Sequence, residues 1–343
     1  MPNPIDEAIA LETSKVDDTP TETAEGEERI PTATVGDEIP RKYTQLRLKN
    51  CGKIEKITYT SYDYFGDGAE VEKAANVYLP TDYDPSKQYD VLYLMHGIGG
   101  DETEWGMTGV NSRVKCIMDN LIYHGDIEGF IVVTPNGRSA ANHAATGSDY
   151  MSFYCFGQEL RNDLMPYIES HYSTYASAEL AACGLDAISG ATGDAAADKA
   201  AYAEQKAKAN TEAINKALQD TRDHRAMAGL SMGGMQTINI GIGECVDIIS
   251  YFGAFSAAPT SNPASKTASL LKENTYPIHY FYNICGTGDG IAYASASGAA
   301  KTLPILCDQF VDGENFMWQE LPGNHDFNIW YLGFYNFAQI AFK

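Results

Sequence analysis

The chain has 343 residues, 44% of them hydrophobic, which is enough apolar side chain to build the core of one large domain with additional segments. Its formal net charge of -22 excludes nonspecific binding of nucleic acids through a basic face. No apolar run approaches the length of a transmembrane helix, so we expect no membrane partner either.

The first 42 residues differ in composition from the rest of the chain. They are rich in Glu, Asp, Thr and Pro and lack aromatic side chains. Such a segment cannot bury enough apolar surface to offset the entropy lost on ordering. We therefore expect residues 1–42 to form a disordered tail or linker and residues 43–343 to form the folded domain. In that domain strand-like and helix-like segments alternate, which predicts an α/β fold, a mostly parallel sheet with helices on both faces.

A glycine-rich loop follows an early buried strand pattern. Residues 90–95 read Asp-Val-Leu-Tyr-Leu-Met, an acidic residue followed by an apolar run of strand length, and residues 96–100 read His-Gly-Ile-Gly-Gly. Such a loop either cradles a phosphate group or turns backbone N–H groups toward a developing oxyanion. The next two residues are both acidic and would repel phosphate, and no Gly-Lys-Ser/Thr follows. We therefore expect an oxyanion loop in which Ile98 supplies an N–H donor and Gly97 allows the backbone to turn.

A serine lies at a sharp turn after a later strand pattern. Residues 225–228 form a short strand, and residues 229–234 read Gly-Leu-Ser-Met-Gly-Gly, with Ser231 at the centre of a G-x-S-x-G motif. Glycine two positions before and after the serine removes side chains that would collide with neighbouring backbone, so the turn lifts the hydroxyl above the sheet edge. This arrangement is typical of the nucleophile elbow of serine hydrolases, in which Met232 would supply the second oxyanion N–H.

The residues that would activate Ser231 should follow it in the order acid, then histidine. Only His279 and His325 come after the serine, and His279 lies inside a strand pattern, where we expect it to be packed. His325 lies in a loop before an aromatic helix pattern. Asp289 lies in the loop at the end of another strand, whereas Asp326 is a sequence neighbour of His325 and is poorly placed to contact its side chain. We predict that Asp289 orients His325 and that His325 accepts the proton of Ser231.

Together these motifs resemble those of carbohydrate esterase family 1, which contains feruloyl esterases, acetylxylan esterases and esterase D-like proteins. The resemblance extends over roughly residues 45–343 and is closest to feruloyl esterases attached to xylan-degrading systems. It implies an α/β-hydrolase fold and ester hydrolysis through an acyl-enzyme. The matching motifs are residues 93–100, 229–234, 285–289 and 323–327, with further similarity at residues 134–137 and 156–164.

One segment departs from the pattern of this family. Residues 177–218 intervene before the strand that leads to Ser231, where the family pattern has a short connection. They are rich in Ala and other helix formers apart from a loop-like stretch at residues 184–193, so we expect an Ala-rich helical insertion. It is either a surface insertion without a role, which a short turn could replace without loss of folding, or a cover over part of the substrate site.

Substrate contacts must come from side chains around these motifs. Trp105, Tyr150 and Phe153 are the candidates, together with Gly97, because aromatic faces can hold a flat ring or a sugar and Trp105 closely follows the oxyanion loop. The seven cysteines include no C-x-x-C pair, and no cluster of His, Cys and carboxylates has zinc-like spacing. We therefore expect no disulfide framework, no catalytic metal and no cofactor.

The sequence thus predicts a serine carboxylesterase that releases ferulic and related hydroxycinnamic acids from feruloylated arabinoxylan, with other modules that degrade plant cell walls as candidate partners. Three alternatives stay open: an acetylxylan esterase, a general short-acyl or thioester hydrolase of the esterase D type, and a scaffold protein that retains the fold. The tail is similar in composition to linkers of secreted polysaccharide-degrading enzymes, and no signal-peptide pattern is visible. Secretion is the expected location, with the cytoplasm as the alternative.

Overall fold

An eight-stranded sheet forms the centre of the structure, a computed structural model that describes residues 35–145, 150–272 and 274–343. Its strands are β1 Lys53–Tyr62, β2 Glu70–Leu79, β3 Val91–Met95, β4 Ile131–Pro135, β5 Arg225–Leu230, β6 Tyr251–Phe255, β7 Tyr280–Gly286 and β8 Phe316–Leu321. They lie in the order β1-β2-β4-β3-β5-β6-β7-β8. β1 and β2 pair antiparallel with their neighbours, and the strands from β4 to β8 pair in parallel.

Continuous apolar runs explain the central strands. β3 reads Val-Leu-Tyr-Leu-Met, and all five side chains are buried. Because successive side chains point to opposite faces of a strand, Leu92 and Leu94 join one hydrophobic cluster while Tyr93 and Met95 join the other. A strand that is apolar on both faces needs cover on both sides, which is the usual condition of a parallel strand.

Helices provide this cover. The α-helices are α1 Arg113–His124, α2 Phe156–Glu159, α3 Met165–His171, α4 Ser177–Ala182, α5 Ala187–Gly190, α6 Ala195–Lys208, α7 Thr211–Asp220, α8 Met232–Gln236, α9 Ala264–Lys272, α10 Tyr293–Leu306 and α11 Phe327–Ala338. Short 3₁₀ segments lie at Arg41–Thr44, Met151–Cys155 and Arg222–His224, and π-helical turns continue α2 and α8 at Leu160–Leu164 and Thr237–Ile242. Helices α1 and α11 cover the Leu92 face, and α3, α7, α9 and α10 cover the Tyr93 face. The predicted α/β-hydrolase fold class is confirmed.

The strand order places a crevice at the carboxyl ends of β3 and β5. The chain passes from β3 to β4 on one side and later returns to β5 on the other side of β3. In open parallel sheets, ligands bind at such a switch point, outside the carboxyl ends of the strands. The loops that follow β3 and β5 carry the predicted oxyanion loop and the predicted nucleophile.

The N-terminal boundary differs from the prediction. Residues 1–34 of the predicted tail lie outside the described residues, but residues 35–42 pack against the domain. The N–H of Gly36 donates to Oδ1 of Asn336 at 3.1 Å, and Nδ2 of Asn336 donates to the carbonyl of Gly36 at 2.9 Å. Val35 and Ile39 contact the hydrophobic cluster under α11. These two apolar side chains and the reciprocal amide contact make this stretch part of the fold.

The insertion at residues 177–218 is helical, as predicted, but it is not confined to the surface. Helices α4 to α7 span it, and Leu180, Leu185, Ile214 and Leu218 are buried in the hydrophobic core beside α3. Removal of this segment would expose that part of the core, which argues against the expectation that a short turn could replace it. Within the described ranges, no helix combines the length and apolar character needed to cross a membrane.

Candidate active site

The nucleophile elbow is a strained turn between β5 and α8. Ser231 has φ 50° and ψ -112°, a backbone conformation that residues other than glycine rarely adopt. A Cβ atom added to Gly229 would lie 2.5 Å from the backbone of Gly233, and one added to Gly233 would lie 2.5 Å from the carbonyl oxygen of Met95. Glycine is required at both positions because the neighbouring backbone leaves no room for a side chain. The turn presents the Ser231 hydroxyl at the carboxyl edge of the sheet.

The three predicted catalytic residues form one hydrogen-bonded chain. Nε2 of His325 lies 3.0 Å from Oγ of Ser231, and Nδ1 lies 2.7 Å from Oδ2 of Asp289. Because an ionised carboxylate only accepts, Nδ1 carries the proton and Nε2 is free to accept from the serine. Burial acts to raise the pKa of Asp289, but the N–H groups of Ala292 and Ile291 and the His325 ring outweigh it and hold the pKa below its usual value.

The competing acid and histidine have other partners. Asp326 caps helix α11, where its carboxylate accepts the N–H of Asn328 at 2.8 Å. His279 precedes β7 at the opposite edge of the sheet, and its Nε2 lies 3.3 Å from the carboxylate of Asp223. Two sequence criteria, the order acid then histidine and the position at a strand end, therefore favour Asp289 and His325. These are the residues that contact each other and Ser231 in the structure.

The oxyanion loop is oriented by His96, a residue of the loop motif. Nδ1 of His96 donates to the carbonyl of Gly97 at 2.7 Å, and Nε2 accepts the N–H of Gly137 at 2.8 Å. In a trans peptide the N–H points away from the preceding C=O, so this contact aims the N–H of Ile98 away from His96. Among the described residues, neither Ile98 nor Met232 donates its N–H to a protein acceptor. Two backbone donors are thus available beside Ser231.

Two charged side chains that sequence analysis misses hold the rest of the loop. Buried Arg138 donates through Nη1 to the carbonyl of Gly100 at 2.6 Å and through Nη2 to the carbonyl of Ile98. Glu104 accepts the N–H of Gly97 at 2.5 Å, and burial raises the pKa of its carboxyl group. Arg138 follows the end of β4 and Glu104 follows the loop itself. The only feature of the sequence that indicates a role for Arg138 and Glu104 is that both come shortly after the carboxyl ends of neighbouring strands.

The structure corrects two of the predicted substrate contacts. Trp105 is fully buried, donates through Nε1 to the carbonyl of Met95 at 2.9 Å, and packs edge-on against Phe327. Phe153 is also fully buried, and its ring centroid lies 5.5 Å from that of His96. Neither ring has surface to offer a ligand, so both support the oxyanion loop from beneath.

The structure places the other two candidates differently: Tyr150 lies on the surface, and Gly97 lies beside the nucleophile. Tyr150 is 45% exposed. Gly97 adjoins the nucleophile, because a Cβ atom added to it would lie 3.5 Å from Cβ of Ser231 and 2.8 Å from Leu230. Glycine at this position keeps the space in front of the serine open.

Comparisons with known proteins point to an esterase. Residues 69–192 match the family model described as "Putative esterase". The chain is 31% identical over 285 residues to endo-1,4-beta-xylanase Y of Acetivibrio thermocellus, an alignment that covers 79% of this chain and 21% of that protein. The chain spans only between a fifth and about a third of the length of the curated relatives that it matches.

Two of the solved structures that are similar to this chain share its fold over most of its length. One is a serine-to-alanine mutant of the feruloyl esterase module from Clostridium thermocellum complexed with sinapinate; it is 26% identical with a TM-score of 0.67, covering 90% of this chain and 94% of that one. The other is a CE1 ferulic acid esterase from Anaeromyces mucronatus in complex with ferulic acid, 25% identical with a TM-score of 0.65, covering 90% and 98%. The resemblance to carbohydrate esterase family 1 is confirmed.

Proposed function

We propose that this chain is a serine carboxylesterase that releases ferulic and related hydroxycinnamic acids from esters on plant cell-wall xylan. The observation that carries the proposal is the continuous hydrogen-bonded chain from Asp289 through His325 to Ser231, with two available backbone N–H groups beside it. A scaffold protein has no need of a strained serine in register with an acid and a base. The substrate class is supported by the similarity to feruloyl esterases.

The acylation step follows from the site's geometry. Ser231 Oγ attacks the ester carbonyl carbon while Nε2 of His325 takes the hydroxyl proton. The carbonyl oxygen becomes an oxyanion, which accepts hydrogen bonds from the backbone N–H groups of Ile98 and Met232. Asp289 stabilises the imidazolium that forms. The tetrahedral intermediate then collapses, its C–O bond to the sugar breaks, and His325 returns the proton to the departing alcohol.

Deacylation repeats these steps with water as the nucleophile. Nε2 of His325 removes a proton from a water molecule, whose oxygen attacks the acyl carbon bound to Ser231. The same two N–H groups stabilise the second oxyanion. Collapse breaks the ester bond to the enzyme, returns the proton to Ser231 Oγ and releases the carboxylic acid. Both half-reactions use only Ser231, Asp289, His325 and the two backbone N–H groups.

We further propose that the natural substrate is feruloylated arabinoxylan and that the protein is secreted. Feruloylated arabinoxylan or its oligosaccharides fit an enzyme that resembles a xylanase over part of that relative's length. The acidic tail composition and the net charge of -22 are consistent with a secreted protein that acts on an extended polysaccharide.

A panel of four substrates tests the proposal: methyl ferulate, methyl p-coumarate, p-nitrophenyl acetate and acetylated xylan, each measured as kcat/KM. We expect the two hydroxycinnamate esters to exceed the acetate ester by roughly tenfold or more. Equal efficiency, or a preference for acetyl groups, would favour the acetylxylan or general esterase alternatives. No turnover of any ester by the folded protein would favour the scaffold.

A further inference from the structure

A cavity with a volume of about 530 Å³ lies between helices α9 and α10. The segment of residues 257–263 after β6 forms one wall, and Ile238, Phe281 and Asn283 also line the cavity. We call it the α9–α10 cavity. Its volume is within the range of small-molecule sites, and every residue of its lining is uncharged. These properties favour an uncharged ligand with a large apolar surface.

Asn283 is the polar group that this cavity leaves without a partner. Its side chain lines the cavity and is only 5% exposed, yet its amide nitrogen donates to no acceptor in the described part of the chain. Buried amide groups are normally hydrogen-bonded, because an unpaired one has lost its hydration without compensation. Asn283 also interrupts an otherwise apolar strand, β7. A ligand oxygen in the cavity would supply the missing partner.

The sheet register gives the distance from this amide to the nucleophile. Asn283 pairs with Ala254, and Ala254 pairs with Gly229, so Asn283 lies two strands and two residues away from Ser231. With about 4.8 Å between strands and about 3.3 Å per residue, the two Cα atoms are about 12 Å apart. Ala258 of the cavity wall donates its N–H to the carbonyl of Ser231 at 2.9 Å. A backbone hydrogen bond therefore joins the cavity wall to the elbow, although Ser231, Asp289 and His325 are not among the residues that line the cavity.

We propose that the α9–α10 cavity binds the aromatic ring of the acyl group and that Asn283 hydrogen-bonds to the hydroxyl group on that ring; this inference rests on the proposed function. A hydroxycinnamoyl group is flat and uncharged, and a propenoyl linker holds its ring oxygen away from the ester carbonyl. The amide of Asn283 carries both a donor and an acceptor, which suits a phenolic hydroxyl. An acetyl group is too short to enter the cavity.

Replacement of Asn283 tests whether its amide recognises the hydroxyl group on the ring, as distinct from binding of the ring itself. The parent and Asn283→Leu are compared on methyl p-coumarate and on methyl cinnamate, which lacks the ring hydroxyl. We expect the parent to prefer p-coumarate in kcat/KM by about tenfold, and Asn283→Leu to reduce this ratio to near one. Leucine has a similar volume and removes an unpaired buried amide, so we expect the variant to fold.

A second substitution tests whether the ring enters the cavity at all. Gly298 of α10 lines the cavity, and a Cβ atom added to it meets no other atom within 4 Å. Gly298→Trp should fill the space and lower the ratio of methyl cinnamate to p-nitrophenyl acetate turnover by about tenfold or more. Gly298→Ala is the matched control, because a methyl group takes up little of the cavity and should keep the parent ratio.

The outcomes separate this inference from the proposed function. If the parent hydrolyses hydroxycinnamate esters but Asn283→Leu keeps the parent preference for p-coumarate, the assignment of Asn283 is overturned while the esterase function stands. The placement of the ring is overturned if Gly298→Trp leaves the cinnamate-to-acetate ratio unchanged. If the parent hydrolyses acetate but no hydroxycinnamate ester, both the function and the inference fall.

Discussion

Replacement of His96 tests how the protein builds its oxyanion site. His96→Phe keeps a flat ring against Phe153 but removes the donor to the Gly97 carbonyl and the acceptor for the Gly137 N–H. The peptide that carries the Ile98 N–H then loses the contact that fixes its plane. Removal of one oxyanion donor costs about 10²–10³ in kcat. We therefore expect kcat to fall by about 10²-fold, with a much smaller change in KM.

The assay is steady-state hydrolysis of methyl ferulate by the parent, His96→Phe and His96→Asn. Asparagine can place an amide donor near the position of Nδ1, so His96→Asn should retain more activity than His96→Phe. Loss of the acceptor for the buried Gly137 N–H should also lower the free energy of unfolding by about 1–3 kcal/mol, measured by urea denaturation. A folded His96→Phe enzyme with kcat within threefold of the parent would refute the reasoning.

The same residue gives a pH prediction. Burial lowers the pKa of His96 from 6.5 to about 4, so the ring stays neutral in the folded protein at pH values where the unfolded chain binds a proton. The unfolded state therefore binds more protons between about pH 6.5 and pH 4, and the free energy of unfolding falls by about 3 kcal/mol as pH drops through that window. His96→Phe should show a correspondingly flatter dependence of unfolding free energy on pH. Equal slopes for parent and variant would contradict the assignment.

Four further predictions follow from the site and the core. Ser231→Ala should lower kcat by about 10⁴-fold or more with the fold retained, as judged by circular dichroism and product release. Asp289→Asn should lower kcat far more than Asp326→Asn, because Asp326 caps a helix and asparagine also caps well; the reverse ranking would show that the acid is misassigned. Replacement of residues 177–218 with a short turn should abolish soluble expression, and recovery of a stable active enzyme would show that the buried leucines there are dispensable. Trp105→Ala should lower the free energy of unfolding by about 3–5 kcal/mol, measured by urea denaturation. A change in acyl preference with unaltered stability would show instead that Trp105 contacts the substrate.

The chemistry of the site could be predicted from sequence because it depends on local rules. Gly229 and Gly233 are needed wherever a strand turns this sharply into a helix, and the structure shows the backbone contacts that exclude a side chain at both positions. Ser231, Asp289 and His325 follow the strands β5, β7 and β8, and the carboxyl ends of parallel strands meet at one edge of the sheet. The order of these residues in the sequence and their positions after strands were therefore sufficient to select them as the catalytic residues.

The role of the aromatic side chains depends on tertiary packing that sequence patterns do not contain. Trp105 follows the oxyanion loop by only a few residues, yet its ring turns inward beneath Met95 and meets Phe327 from the C-terminal helix. The insertion shows the same limit: its Ala-rich composition predicts helices, but only the fold reveals that Leu180 and Leu218 face the core. Arg138 reaches the loop from another strand end, a contact that no spacing indicates.

Release of ferulic acid from methyl ferulate, followed side by side for the parent and Ser231→Ala, tests the central claim most directly. We predict steady turnover by the parent and none above background by the variant, with matching circular dichroism spectra. Comparable ferulic acid release by both proteins would contradict the claim that Ser231 is the nucleophile, and the absence of release by the folded parent would contradict the claim that it is a feruloyl esterase.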